Sequence, residues 1–298
     1  MGLFSRTENA TISNLKLLDA NMSGLNWIGG LVGEGTLTTI NEVETSGTIK
    51  GSDNLGGIAG SLSGSTISNS YNHATLEDGQ GLKVGGIVGY FSGDIINSHN
   101  TGAIHGYDKI GGIAGEFSGD ITNTYNSGTI TGDSSNVGGL IGYASELTSI
   151  TNSYSSGNIQ GDNTIGGLIG GVDQELYNYY NVNISNSFSA GEVTGNTMVG
   201  GIIGFTWAFA DLDPEGDVII ITPYFYDTNC GWWTGGGPSY ALGTTDTKNV
   251  TYEETIISSF YPQSHPIYSA NPPWDSNWVW SICPGASYPW LKWENRTC

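Results

Sequence analysis

Apolar positions along the first two thirds of the chain come in short bursts, each bounded by glycine and small polar residues, and the bursts return at a fixed interval. One six-residue phrase carries the rhythm: Ile28-Gly29-Gly30-Leu31-Val32-Gly33, then Leu55–Gly60, and again at 84–89, 110–115, 137–142, 165–170 and 199–204. The steps between successive double glycines are 27, 29, 26, 27, 28 and 34 residues. A sustained period of this size marks a solenoid, in which each unit is too small to bury its own apolar face and must stack on its neighbours.

Two further phrases keep step. One alternates: Ile67-Ser68-Asn69-Ser70-Tyr71, Ile95–His99, Ile121–Tyr125, Ile150–Tyr154 and Ile184–Phe188. The other ends in glycine, as in Gly102-Ala103-Ile104-His105-Gly106, Gly128–Gly132, Gly157–Gly161 and Gly191–Gly195. Each unit thus offers three β-type runs separated by Gly, Asn, Asp and Ser. Three strands and three corners in this span make one coil of a parallel β-helix. A leucine-rich repeat of similar period needs a helical side and a leucine ladder, and neither is present. The expected fold is all-β, a parallel β-helix of about seven to eight coils over residues 1–204. Residues 1–24 read as a disguised first coil, and the coil from 166 to 199 carries an insertion near Asp173–Tyr180.

After Gly204 the texture changes. Seven of nine tryptophans lie from Trp232 onward, and seven of nine prolines lie between Pro223 and Pro284. Residues 205–298 are therefore expected to form a non-repetitive, aromatic-rich C-terminal cap that covers the strand edges and core cross-section of the last coil. Its tryptophans serve as cap core or, on a sharper reading, as a sugar-stacking platform built from Trp232, Trp233, Trp274 and Trp278.

Period-2 alternation places Ile121, Asn123 and Tyr125 on one face and Thr122 and Thr124 on the other. The apolar pair makes the first set inward. Stacking at about 4.8 Å then aligns Asn69, Asn97, Asn123, Asn152 and Asn186 in an amide ladder. The same stacking aligns Tyr71, His99, Tyr125, Tyr154 and Phe188 in an aromatic file, which makes His99 a file member and not a ligand. The Gly-Gly phrase resists this logic, because alternation sends Leu31 and Val32 to opposite sides. Either the double glycine bends the chain and returns Leu31 to the core, or that side of the solenoid is covered.

Composition narrows the function. Charged residues are only 12% of the chain and the net charge is −20, with Arg6 and Arg296 the two arginines. Such a chain repels phosphate backbones and anionic membranes, so neither nucleic acid nor membrane insertion is expected. No apolar run is long enough to span a bilayer, the first residues do not form a signal peptide, and Arg6 breaks a myristoylation motif. The start resembles a cut within a longer protein or a mature chain whose leader is absent. Cys230, Cys283 and Cys298 leave one cysteine unpaired within the chain. Asn-X-Ser/Thr sequons at Asn9, Asn21, Asn183, Asn249 and Asn295 are about as many as chance supplies.

The repeated Ile/Leu-Gly-Gly phrases, interleaved with Ile-X-Asn-Ser-Tyr and Gly-X-Ile-X-Gly, resemble the GLUG repeat of bacterial and archaeal surface proteins. That group includes adhesin-like proteins and immunoglobulin A1-cleaving metallopeptidases. The resemblance covers roughly 10–204, and Pro223–Thr228 and Ser287–Trp293 are similar to segments that follow such arrays. It implies a secreted or cell-surface stalk or adhesion region without a defined ligand.

Chemistry is sparse. Asp94 and Asp120, in the repeated Phe-Ser-Gly-Asp-Ile phrase, should lie one coil apart. That spacing suits a retaining glycosidase or a bridging calcium ion, although Asp after Gly is ordinary turn chemistry. No His-Glu-X-X-His, nucleophile elbow or phosphate loop occurs, and His73, His99, His105 and His265 lack zinc spacing. The expectation is a non-catalytic extracellular solenoid facing an unidentified protein or glycan ligand, without a cofactor unless calcium binds. Alternatives are a self-assembling subunit that stacks end to end and a carbohydrate-binding or carbohydrate-active β-helix. Ice binding through outward pairs such as Thr129 and Thr131 is disfavoured, since the pairs are not kept from coil to coil.

Overall fold

The computed structural model describes residues 1–78, 80–172 and 182–205, with strands at 219–226, 232–233, 280–281 and 290–291. Among the described residues every element is a strand, and the coil-to-coil pairing is parallel throughout. The double-glycine phrase begins one face: Asn26–Gly29, Asp53–Gly56, Leu82–Gly85, Asp108–Gly111, Ser135–Gly138, Asn163–Gly166 and Thr197–Gly200 form a seven-stranded sheet in chain order. The remaining runs wrap round as one 22-stranded sheet. Long strands such as Ala59–Ser68, Val88–Ile96, Ala114–Thr122 and Ile141–Thr151 follow the glycine phrase. Short strands such as His99–Asn100 and Ile104–Gly106 close each coil.

The glycine phrase is a bend. Ile28, Leu31 and Val32 are all fully buried, but they serve two cores. Ile28 joins Ile49, Leu55, Leu76 and Val84, whereas Leu31 and Val32 join Leu62, Ile67, Phe91 and Phe117. Of the two alternatives raised by the sequence, the first holds: the chain turns at Gly29-Gly30 and Leu31 returns to the interior. The second glycine of each pair has a steric reason. A Cβ on Gly57 would lie 2.2 Å from Asn72 Cγ, and one on Gly112 would lie 2.4 Å from Asn126 Cγ.

Corners are made by residues in the left-handed region. One column comprises Asn14, Glu42, Asn69, Asn97, Asn123, Asn152 and Asn186, with φ between 48° and 56°. Another precedes the glycine phrase and holds Trp27, Asn54, Lys83, Lys109, Asn136, Thr164 and Met198. Asparagine suits this region because its short amide bonds locally, whereas bulky side chains enter it at a cost of about 1–2 kcal/mol. The stacked coils hold them there.

Parallel pairing does not stop at Gly204. Ile203–Phe205 pairs with the preceding coil, Ile219–Tyr226 pairs in register with Val182–Ser189, and Trp232 and Trp233 pair with Thr194 and Gly195. Trp280–Ser281 and Trp290–Leu291 form a separate antiparallel pair. At the other end, Met1–Phe4 stacks on the first glycine phrase, with Leu3 N–H donating to Gly30 O and Phe4 N–H to Leu31 O. Six of the ten exposed large hydrophobic side chains among the described residues fall here: Met1, Leu3, Phe4, Leu18, Leu25 and Trp27.

Candidate functional site

The repeat builds four side-chain columns, and they decide which residues are structural and which are presented. The innermost polar column is Thr45, Asn72, Asn100, Asn126, Ser155 and Ser189, every member fully buried. Thr45 Oγ1 donates to Asn72 Oδ1 at 2.8 Å, Asn72 Nδ2 to Asn100 Oδ1 at 2.8 Å, and Asn100 Nδ2 to Asn126 Oδ1 at 2.8 Å. Asn126 Nδ2 reaches Ser155 Oγ at 3.4 Å. Each amide also closes a local ring: Asn100 Nδ2 donates to Gly102 O, and Gly102 N–H donates to Asn100 Oδ1. Buried amides are tolerable only when satisfied, and here each coil supplies the partners of the next. Sequence reasoning missed this column. Its signal is an asparagine directly after the aromatic residue, in step with Gly57, Gly86 and Gly112.

A second column is made of hydroxyls. Ser70, Ser98, Thr124, Ser153 and Ser187 are fully buried. Each accepts the backbone N–H of its counterpart one coil earlier and donates to its own residue i−2; Thr124 N–H donates to Ser153 Oγ at 3.1 Å, and Ser153 Oγ to Thr151 O at 2.8 Å. These hydroxyls bridge the corner where the backbone ladder breaks.

The inward asparagine ladder expected from alternation needs correction. Asn69, Asn97, Asn123, Asn152 and Asn186 occupy left-handed corners and are half-buried. The positive φ resets the alternation, so the following hydroxyl faces the core instead. Hydrogen bonds link Asn97 Nδ2 to Asn69 Oδ1 at 3.2 Å and Asn123 Nδ2 to Asn97 Oδ1 at 3.1 Å. The Oδ1 atoms of Asn123 and Asn186 are buried without a hydrogen-bond partner, so the ladder is interrupted beyond Asn123.

The aromatic file stacks closely. Ring centroids lie 4.3 Å apart for Tyr71–His99, 4.7 Å for His99–Tyr125, 5.0 Å for Tyr125–Tyr154 and 4.9 Å for Tyr154–Phe188. The last three pairs are parallel within 10°. None of these rings belongs to either hydrophobic core, but Tyr125, Tyr154 and Phe188 are buried, and burial falls to half at His99 and Tyr71, where the file ends.

Asp94 and Asp120 pair directly across adjacent strands and are both exposed. Their column continues through Thr66 and Ser149, which adds no third carboxylate. Among the described residues no group of three or more His, Cys, Asp or Glu side chains is placed to hold a metal ion. Two lysines from the second corner column converge on one acid: Lys109 Nζ lies 2.6 Å and Lys83 Nζ 3.5 Å from Glu116 Oε2. They also cover the rings of Tyr143 and Tyr90 at 4.3 Å and 4.9 Å. Trp232 and Trp233 sit on a strand that extends the ladder, whereas Trp274, Trp278, Asp173–Tyr180 and the three cysteines lie outside the described residues.

Comparison with known proteins agrees with this geometry. The family model described as the GLUG motif matches residues 133–160, which run from the glycine-terminated corner at Gly132 through one double-glycine phrase to the next third strand. The chain carries the GLUG motif. The six other double-glycine phrases stack in register on this copy. An immunoglobulin A1 protease from Streptococcus sanguinis is 35% identical over 96 residues, 30% of this GLUG-bearing chain, and the match spans only 5% of that relative's length. In three dimensions the solenoid is similar to a crystal structure of a protein provisionally named immunoglobulin A1 protease, from Bacteroides ovatus. The TM-score is 0.56 at 16% identity, over 94% of this chain and 92% of that one. At that identity the likeness establishes a shared fold.

Proposed function

We propose that the chain is a non-catalytic, extracellular GLUG solenoid that serves as a rigid stalk or adhesive surface of a secreted or cell-surface protein. The observation that carries this reading is the investment of the repeat in continuous internal ladders. Amide, hydroxyl and aromatic columns tie each coil to the next, which stiffens a rod without assembling a reactive group. Seven rungs at about 4.8 Å rise to roughly 30 Å, so each added repeat extends reach by a fixed step. Both similar proteins are named for a protease, but the Streptococcus sanguinis match is a small fraction of that protein, and the Bacteroides ovatus likeness, at 16% identity, concerns the fold alone. On this reading any peptidase chemistry of the parent protein lies outside this chain, and the solenoid is an accessory part. Incubation of the purified chain with immunoglobulin A1, read by gel, tests this. Intact heavy chain is expected, and specific cleavage would overturn it.

A second reading, end-on association with another copy, is favoured by the first coil. Its strands Phe4–Glu8, Thr11–Ser23 and Asn26–Gly29 hydrogen-bond only towards the second coil among the described residues. An unpaired edge is a template for another strand. Light scattering across a concentration series decides: growth of short rods supports stacking, and a monomer at every concentration excludes it.

A further inference from the structure

The second coil breaks the repeat's rules twice, side by side. In the corner column Asn14, Glu42 and Asn69 succeed one another, with Glu42 the lone non-asparagine; strand registers at Ser13–Asn41 and Leu15–Val43 fix the alignment. In the aromatic column Lys16 pairs with Glu44 and Glu44 with Tyr71, so the file ends at Tyr71 and two charged residues replace its next rings. Asn69 consequently turns its amide to Asn41 Oδ1 at 2.8 Å, away from the column. Where both columns fail, a groove of about 280 Å³ opens. Asn14, Lys16, Glu42, Glu44, Asn69 and Tyr71 line it, with Val43 beneath.

A volume this size is at the lower end of ligand sites, which fits one side chain and not a folded surface. The groove's charges are not balanced. Lys16 Nζ lies 2.5 Å from Glu44 Oε2, and His73 Nε2 lies 3.9 Å from Glu44 Oε1. Glu42 is exposed and has no ion-pair or hydrogen-bond partner among the described residues. The negative field is felt locally: burial, then Glu42 and Glu44, push the Tyr71 phenol above its ordinary pKa. An aromatic wall beside an unpaired carboxylate is the chemistry that holds a cation, by ring quadrupole and by charge. The chain's net charge of −20 draws the same sign of partner from a distance.

We propose that this groove receives an arginine or lysine side chain presented by a basic segment of a partner polypeptide, with Glu42 as the counter-charge and Tyr71 as the wall. Arginine is the better occupant, because its planar guanidinium stacks on a ring while it bonds a carboxylate.

The test titrates the full chain with a labelled tetra-arginine peptide and with its tetra-citrulline counterpart, which keeps the shape and removes the charge. A neutral oligosaccharide is titrated in parallel. The arginine peptide is expected to bind and citrulline to bind at least about tenfold more weakly. Glu42→Asn, which installs the column's own residue and keeps the fold, should weaken arginine binding about three- to fivefold. Glu192→Gln makes the same charge change at an exposed position five coils away and should leave affinity unaltered. Tyr71→Leu should cost about threefold and Tyr71→Phe nothing. Equal losses from Glu42→Asn and Glu192→Gln would reduce the binding to bulk charge and overturn the site. Preference for the oligosaccharide, lost in Tyr71→Leu, would overturn the cationic ligand.

Discussion

Replacement of Asn100 by alanine tests whether the innermost amide column stabilises the coil through hydrogen bonds or merely fills space. Asn100 is fully buried and makes four hydrogen bonds: Nδ2 to Asn126 Oδ1 and Gly102 O, and Oδ1 from Asn72 Nδ2 and Gly102 N–H. At about 1 kcal/mol net each, their loss costs about 4 kcal/mol, with Gly102 N–H left in the interior unpaired. That is a large share of the 5–15 kcal/mol typical of a whole domain. The outer-column control is Asn97→Ala, which removes two half-exposed bonds, worth about 0.5 kcal/mol each because water competes for them, and installs alanine at φ 49°, about 1 kcal/mol more; together these cost about 2 kcal/mol. Asn100→Ser separates the two explanations, since serine and alanine leave nearly the same cavity. Serine restores one acceptor of the kind Ser155 offers Asn126, so it should recover about 1 kcal/mol relative to alanine. Guanidinium unfolding followed by circular dichroism gives the totals, and hydrogen exchange at coil four gives the local loss. Because solenoid stability is nearest-neighbour, the damage should centre on the coils that flank Asn100. Equal stability of the serine and alanine variants, or equal costs at positions 97 and 100, would refute the hydrogen-bond account.

Gly112→Ala should prevent folding of the array, because its Cβ would stand 2.2 Å from Gly139 O and 2.4 Å from Asn126 Cγ; soluble yield and circular dichroism check it. Glu42→Asn should stabilise the chain by roughly 0.5–1 kcal/mol by relieving a left-handed glutamate, read as a raised Tm. Tyr71 predicts an alkaline effect. Its folded pKa lies above 10.0, so above that pH the unfolded chain loses the proton first and stability falls as pH rises. Tyr71→Phe should lack this part of the decline in a Tm series from pH 9 to pH 11, and identical slopes would reject it. Asp94 and Asp120 are like charges in directly paired positions, so Asp120→Asn should raise stability by a few tenths of a kcal/mol. A rise in wild-type Tm on addition of calcium, lost in that variant, would instead make the pair a cation site.

The period of the double glycine was enough to read the rungs, because any β-solenoid must return to the same face at a near-constant residue count. The direction of individual side chains was not legible, and the reason is local. Alternation holds only while φ stays negative, and Asn69, Asn97 and Asn123 each reset it at a corner. The residue after the corner, Ser70 or Thr124, therefore faces inward although simple counting sends it out. Asn72 and Asn100 were present in the sequence, but their column changes to Thr45, Ser155 and Ser189 elsewhere and so does not repeat as a letter. Its constant feature is steric: the second glycine opposite it, whose purpose shows only once the two faces are brought together.

That arrangement separates what keeps the rod standing from what it can show. The amide and hydroxyl columns, with the two apolar cores, occupy buried positions from the third coil to the seventh, and each is filled by only a few residue types. The corner column before the glycine phrase holds Trp27, Asn54, Lys83, Lys109, Asn136, Thr164 and Met198 in one backbone conformation. Residues so different share no local preference for positive φ, and several enter it at a cost. The neighbouring rungs must impose the conformation, which leaves the side chain free to vary outward. Lys83 and Lys109 use that freedom to reach Glu116 and two tyrosine rings, and Glu42 uses the same freedom at the other corner. New surface chemistry on this scaffold should therefore arise at the corner before the glycine phrase, one coil at a time, because there a change of side chain leaves the buried amide and hydroxyl columns and both cores untouched.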